Sequence, residues 1–169
     1  PWMGGKWGTR QAIDYMLTAD FAILELAASR SEYFLWKAYE LARAAIETGN
    51  KGGPYAYVVP AGQWDAPAAV DMLRRLRLAG IQVERAKAPF QAGGKTWPEG
   101  SYVMRAGQPF RNYLVDLMEK QHYPELKTGQ SGATKKPYDV AGWTLPFNMG
   151  VEVHRIEQGF EASLDTVTA

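Results

Sequence analysis

The sequence predicts an α/β chain: an all-helical N-terminal stretch, then strands alternating with helices in a mostly parallel sheet. Three observations lead there. Residues 55–59 (Tyr-Ala-Tyr-Val-Val) form an apolar run that Pro60-Ala61-Gly62 breaks. An amphipathic run opened by Asp65 follows, and a second apolar run starts at Ile81. Before Asn50 the apolar residues keep helical spacing only. A helix between two short apolar strands is the unit of parallel sheets, because a parallel neighbour is reached only by a crossover.

Across residues 9–28, Ile13, Met16, Leu17, Phe21, Leu24 and Ala28 recur at spacings of three and four, which makes one apolar stripe on a helix. Asp14, Asp20 and Glu25 fall mostly off it. Ser29 and Glu32 have the spacing of a capping box, and Phe34, Leu35, Ala38, Leu41, Ala42, Ala45 and Ile46 give a second stripe. Gly49 is read as the end of that helix. With almost no loop between them, the two helices are expected to form an antiparallel hairpin. Residues 50–54 (Asn-Lys-Gly-Gly-Pro) hold nothing to bury and read as a linker, which places a boundary between Gly49 and Tyr55.

Beyond the first strand, Asp65 is an N-cap with Pro67 tolerated in the first turn, where its missing N–H has no partner to lose. Val70, Met72, Leu73 and Leu76 are assigned to the face toward the sheet, and Gly80 stops the helix. Residues 81–83 (Ile-Gln-Val) start the second strand, and 88–98, with Gly93-Gly94, read as an irregular connection. A third strand is placed at 101–105, turned by Gly107. Gln108-Pro109 then opens a helix carrying Phe110, Leu114, Leu117 and Met118, which is expected to stop near Gln121 because Pro124 follows. Residues 127–136 lack a large apolar side chain and read as a surface loop, and a last strand is placed at 151–156. Past Gly159 the chain is small and polar, a tail expected to fray. The expected organisation is a helical hairpin over 1–50, an α/β domain over 54–159 and a tail over 160–169.

Composition excludes several classes of function. The chain has 169 residues, 46% hydrophobic and 22% charged, enough for a packed core without disulfide or metal. With 19 basic against 18 acidic residues the net charge is +1, so neither nucleic acid nor an anionic membrane has an electrostatic footprint here. Arg74, Arg75 and Arg77 are the nearest thing to a basic cluster and read as a solvated helix surface. The absence of cysteine excludes thiol catalysis, disulfides and cysteine-held metals. No apolar run reaches the length that spans a bilayer. The chain begins Pro-Trp with no initiator Met, as expected of a piece of a longer polypeptide.

Two candidate sites stand out. His122 and Glu125 have the His-x-x-Glu spacing with which zinc carboxypeptidases place two ligands on one metal. A third ligand and a general base are also needed, and His154, on a strand, is the only other histidine. Pro124 disrupts the backbone between the pair, so the metal site is disfavoured against two residues at a helix end. The second candidate is the cleft at the carboxyl ends of parallel strands, lined by Gln63, Trp64 and Asp65 after the first strand and Gln108 after the third. Neither G-x-G-x-x-G nor a phosphate-binding loop nor G-x-S-x-G is present, which disfavours nucleotides and serine hydrolysis. Aromatics in loops, Trp2, Trp7, Tyr138 and Trp143 among them, suit packing against a neighbouring domain or self-association.

Two stretches carry a resemblance. The first is residues 1–10 (Pro-Trp-Met-Gly-Gly-Lys-Trp-Gly-Thr-Arg) with the helix over 15–30. The second is 137–151, Pro-Tyr-Asp-Val-Ala-Gly-Trp-Thr-Leu-Pro-Phe-Asn-Met-Gly-Val. Together with Tyr57-Val-Val-Pro, Gln63 and Asp65 they resemble the segment after the catalytic domain of large bacterial zinc carboxypeptidase-like proteins of the carboxypeptidase A superfamily. The resemblance implies a secreted or periplasmic parent, with one zinc in a preceding peptidase domain that removes C-terminal residues. It also implies α/β modules like flavodoxin or class I glutamine amidotransferase domains, a three-layer sandwich. The zinc ligands, the substrate-carboxylate arginine and the catalytic glutamate belong to that preceding domain, so none is carried onto a residue here, and the amidotransferase cysteine is missing. The expected function is therefore a non-catalytic accessory segment with no cofactor of its own, partnered by the preceding domain. The alternative is a stand-alone α/β module that binds a small molecule, glycan or peptide; an independent hydrolase has no assembled triad or metal set in its favour.

Overall fold

The computed structural model describes residues 4–120, 122, 124, 126–129, 132–136 and 142–168. The chain divides into two compact units, Pro1–Leu41 and Ala42–Ala169, and the division falls inside a helix instead of at the 50–54 linker. The first unit holds α1 (Thr9–Ser29) and the start of α2 (Ser31–Lys51). Gln11 opens α1 by accepting from the Gly8 backbone N–H at 3.0 Å. The predicted antiparallel hairpin does not form. Arg30 alone separates the helices, and the backbone ladder nearly runs through it, with Arg30 N–H on the Leu26 carbonyl and Phe34 N–H on the Arg30 carbonyl. An αα-hairpin needs a loop of several residues with turn chemistry. Ala27-Ala28-Ser29-Arg30-Ser31-Glu32 offers neither glycine nor asparagine. Ser29 also does not cap α2, since its hydroxyl donates back to the Leu26 carbonyl at 3.2 Å.

In the second unit α2 continues through Gly49, the residue expected to end it. Gly49 is buried, and a Cβ there would overlap the carbonyl of Ala106. Glycine serves here for close backbone approach, not for a turn. The chain then enters β1 (Ala56–Val59) and α3 (Ala66–Leu78). Asp65 caps α3 as expected, accepting from the Ala68 N–H at 2.9 Å. Its other end is a Schellman motif, with Gly80 N–H on the Arg77 carbonyl, Ile81 N–H on the Leu76 carbonyl and Gly80 at φ +92°.

The remaining elements are β2 (Glu84–Ala86), β3 (Phe90–Ala92), β4 (Lys95–Trp97), β5 (Tyr102–Arg105), α4 (Arg111–Met118), α5 (Leu145–Met149), β6 (His154–Ile156) and β7 (Leu164–Thr166). The main sheet has the order β6-β1-β5-β2-β7, and every pairing in it is antiparallel. This corrects the mostly parallel, flavodoxin-like or amidotransferase-like expectation. The β1-α3-β2 crossover exists and returns the chain in the same direction, but β5 wedges between β1 and β2 and pairs antiparallel with both. Leaving β7 aside, the order and the two helical crossovers are those of a split βαβ, ferredoxin-like sandwich. The ladder at β2 begins at Glu84, after the apolar residues Ile81 and Val83 that suggested it.

Two further expectations change. The irregular connection over 88–98 is the hairpin β3–β4, turned by Gly93 and Gly94 at φ +58° and +73°, the positive pair that a two-residue type I′ turn requires. The tail over 160–169 is not frayed along its described length, because β7 pairs with β2. The helix opened by Gln108-Pro109 ends at Met118, and Gln121 lies outside the described residues.

The side chains of β1 alternate between two cores. Tyr57 and Val59 pack with Met72, Leu73 and Leu76 of α3 and Leu114 and Met118 of α4. Ala56 and Val58 pack with Phe90, Ala92 and Trp97 of the hairpin and with Ile156. Phe160 stacks on Phe90, with ring centroids 5.3 Å apart. Helices thus cover one face of the sheet, and the hairpin with the chain around Phe160 covers the other.

The close approach at Gly49 makes a signed prediction. Replacing an interior helix glycine with alanine normally stabilises by about 1 kcal/mol. Overlap with the Ala106 carbonyl should instead make Gly49→Ala destabilising by about 1–3 kcal/mol. Urea unfolding measures it: a lowered midpoint is expected, and a raised one would show that α2 does not press on the loop after β5.

Candidate functional site

The loop after β1 is built by side-chain amides. Gln63 donates to the carbonyls of Glu152 at 2.9 Å and Pro60 at 3.2 Å, and accepts from the Glu152 N–H at 2.9 Å. Its amide imitates one rung of a β-ladder and fixes the segment that leads into β6. Asp65 is consumed by its cap. Trp64, between them, is fully exposed.

Gln108 does the same work elsewhere. At 2% exposure it accepts from the Gln82 N–H at 2.8 Å and donates to the Arg105 carbonyl at 2.6 Å, tying the entrance of β2 to the exit of β5. The predicted cleft brought Gln63, Trp64 and Asp65 together with Gln108. Because β5 runs antiparallel to β1, with Val59 opposite Tyr102 and Ala56 opposite Arg105, the loop after β5 lies at the other end of the sheet. The structure brings the first three together and leaves Gln108 apart.

His122 is exposed, and Glu125 lies outside the described residues. Among the described residues no group of three or more His, Cys, Asp or Glu side chains is placed to hold a metal. His154 contacts the Glu152 carboxylate and packs its ring against Trp97 at 4.7 Å. Of the loop aromatics, Trp7 and Trp143 are exposed, while Trp2 and Tyr138 lie outside the described residues.

A polar network not foreseen from sequence crosses the helical face. The Tyr57 hydroxyl donates to the Glu119 carboxylate at 2.6 Å, and Arg155 on β6 pairs with the same carboxylate oxygen at 3.0 Å. Thr144, buried before α5, donates to the Glu119 backbone carbonyl at 3.0 Å. The network joins β1, the end of α4 and β6. Burial and then the Glu119 carboxylate push the Tyr57 phenol far above its ordinary value, so it stays a neutral donor.

Two apolar surfaces remain open. One is α1, which has no buried residue although Phe21 is 68% exposed and Ile23 and Leu24 are 63% exposed. Large apolar side chains at the start of α2, Leu35, Trp36 and Leu41 among them, are exposed as well. The other is a groove of about 490 Å³ beside α3, lined by Val70, Leu73, Arg74, Arg77, Leu78, Val83, Tyr102 and Val167. The basic cluster seen in the sequence divides here. Arg75 pairs with Asp71 at 2.8 Å as a solvated helix residue should, while Arg74 and Arg77 line the groove. The readable signal was the second apolar row, Val70 and Leu78, flanking those arginines at helical spacing. No protein-family model, curated protein or solved structure matches this chain.

The Tyr57 hydrogen bond is testable by pH. An unfolded chain loses the phenolic proton near the ordinary value of 10.0, whereas the folded chain holds it. Rising pH through that value therefore favours the unfolded state, and the stability from this group is present below pH 10 and declines above it. Tyr57→Phe should cost about 1 kcal/mol near neutrality. It should also flatten the alkaline fall in stability relative to the native chain. Equal slopes for the two proteins between pH 9 and 11 in chemical denaturation would show that the phenol is not held neutral.

Proposed function

We propose that this chain is a non-catalytic accessory segment of a zinc carboxypeptidase-like protein, with α1 and the start of α2 as its attachment element and the preceding peptidase domain of the same polypeptide as its partner. One observation carries the reading: α1 is apolar over most of its circumference and buries none of its residues. A helix apolar nearly all round is a core helix, and its cover must come from somewhere. Side chains of this size present on the order of 1,000 Å² of apolar surface, against about 300–600 Å² for the largest patch of an ordinary soluble monomer. That is enough for one side of a stable interface.

The resemblance of residues 1–10 and 15–30 to the segment that follows a peptidase domain supports the choice of partner. On this reading zinc and the secreted or periplasmic location belong to the parent protein, and the segment braces the peptidase or shapes access to it. The amide clamps at Gln63 and Gln108 and the Tyr57–Glu119–Arg155 network suit such a scaffold, because each spends its polar groups inside the fold.

Three observations test this. The isolated chain, assayed with zinc against peptides with free C-termini, should release no amino acid, and turnover that survives repurification would sink the proposal. The gene upstream of Pro1 should encode, in frame, a domain with His-x-x-Glu and a later histidine. When that domain is co-expressed, the two should elute together, and replacing Leu17 and Leu24 by glutamate should separate them. Co-elution unchanged by the double variant would remove α1 as the attachment element.

A further inference from the structure

The groove beside α3 is independent of the accessory reading, because it lies wholly within the second unit. α3 supplies one wall through Val70, Leu73 and Leu78, and Val83 and Val167 meet it from the sheet side. Val70 is 54% exposed and Leu78 is 80% exposed, so apolar surface is left open at both ends of the wall, on either side of buried Leu73. A small molecule is normally enclosed over most of its surface. This groove is too open for that and suits something that lies along it.

Among the described residues, no strand pairs with the outer side of the sheet edge next to the groove. β7 is the outermost strand, and the Val167 N–H on the Val83 carbonyl and the Lys87 N–H on the Ser163 carbonyl set its phase. Odd-numbered residues of this strand therefore bond to β2. The N–H and C=O groups of Leu164 and Thr166 point outward, ready for another strand.

Charge selects among strands. Near the groove, Asp71 pairs with Arg75 and Asp165 with Lys87, while Glu84 pairs with Arg105 on the other face of the sheet, where Arg105 lies over Phe160. The charged side chains that line it are both arginines, Arg74 and Arg77, and neither has an acidic partner among the described residues. Arg85, at the far end, lies over the Tyr102 ring at 5.7 Å.

From this juxtaposition we infer that the groove is a peptide-binding site: an extended segment adds to β7 as a further strand, with apolar and acidic side chains alternating along its helix-facing side. The main chain would bond to Leu164 and Thr166, the apolar side chains would fill the space against Val70, Leu73 and Leu78, and the carboxylates would meet Arg74 and Arg77. Since side chains on one face of a strand come every second residue, the recognised pattern is apolar-x-acidic-x.

The probe is a fluorescein-labelled, N-acetylated peptide of the repeat Val-Thr-Glu-Thr, titrated into the full chain by anisotropy and by amide and methyl NMR. Saturable binding is expected, with shifts at the amides of Leu164 and Thr166 and the methyls of Val70, Leu73 and Val167. The double charge reversal Arg74→Glu with Arg77→Glu, at one exposed and one half-buried helix position outside the buried core, should weaken binding about tenfold or more. Thr166→Pro removes one outward N–H without touching the β2 ladder and should weaken it as well. Equal binding of a Val-Thr-Lys-Thr peptide, or shifts confined to α1 and α2, would overturn the proposal. Dodecanoate shifting the groove methyls while the peptide leaves them unmoved would assign the groove to a small amphipathic anion instead, and that too would overturn it.

Discussion

β1 is buried on both of its faces, and the second unit is organised by that requirement. Tyr57 and Val59 must be covered on one side, Ala56 and Val58 on the other. Two helical crossovers, α3 and α4, supply the first cover, and the β3–β4 hairpin with Phe160 supplies the second. Apolar burial at about 25 cal/mol per Å² is the dominant favourable term available to a chain with neither disulfide nor cysteine. The polar tip of Tyr57 is accordingly satisfied internally, through its short bond to Glu119. The amides of Gln63 and Gln108 extend the same economy to the two ends of the sheet, replacing ladder bonds where the strands stop.

The same burial explains which parts of the fold were legible. A continuous apolar strand is the mark of a sheet covered on both sides, and parallel sheets are where this is most often found. Residues 55–59 therefore suggested parallel neighbours, when the cause was a hairpin lying on the second face. The strand-helix-strand order was read correctly, but no local pattern records that β5 would enter between β1 and β2. Turn chemistry carried part of what was missed: Gly93-Gly94 between Phe-Gln-Ala and Lys-Thr-Trp is the composition of a tight hairpin. β7 carried no such signal. Leu164-Asp165-Thr166 is a short edge strand that β2 recruits through backbone bonds, and its sequence has little periodicity to show. The candidate cleft failed for the topological reason: with every pairing antiparallel, the adjacent strands β1 and β5 end at opposite edges, so Gln63 and Gln108 could not share one site.

In α1 the sequence pattern and the packing part company. The stripe Ile13, Met16, Leu17, Phe21, Leu24 is a helix signal, and a helix forms there. A stripe predicts that a face will be covered without naming the cover, and Tyr15, Ile23 and Leu26 lie outside it, exposed as well. Hydrophobicity beyond one stripe exceeds what a two-helix hairpin could bury. The absence of glycine, proline and asparagine around Arg30 agrees with this, since the segment is made to continue as helix and not to fold back.

The two open apolar surfaces make different physical demands on what would meet them. α1 and the start of α2 offer a broad face whose nearby charges, Arg10 with Asp14 and Lys37 with Glu40, are already paired along the helix. Area dominates there, and area gives adhesion with little power to choose among partners. The α3 groove is smaller, but it adds outward backbone groups that accept only an extended strand and two arginines with no acidic partner among the described residues. A ligand that left those groups unmatched would lose hydrogen bonds it could have made with water, whereas a matched strand recovers them. Selectivity therefore belongs to the groove, and adhesion to the helices.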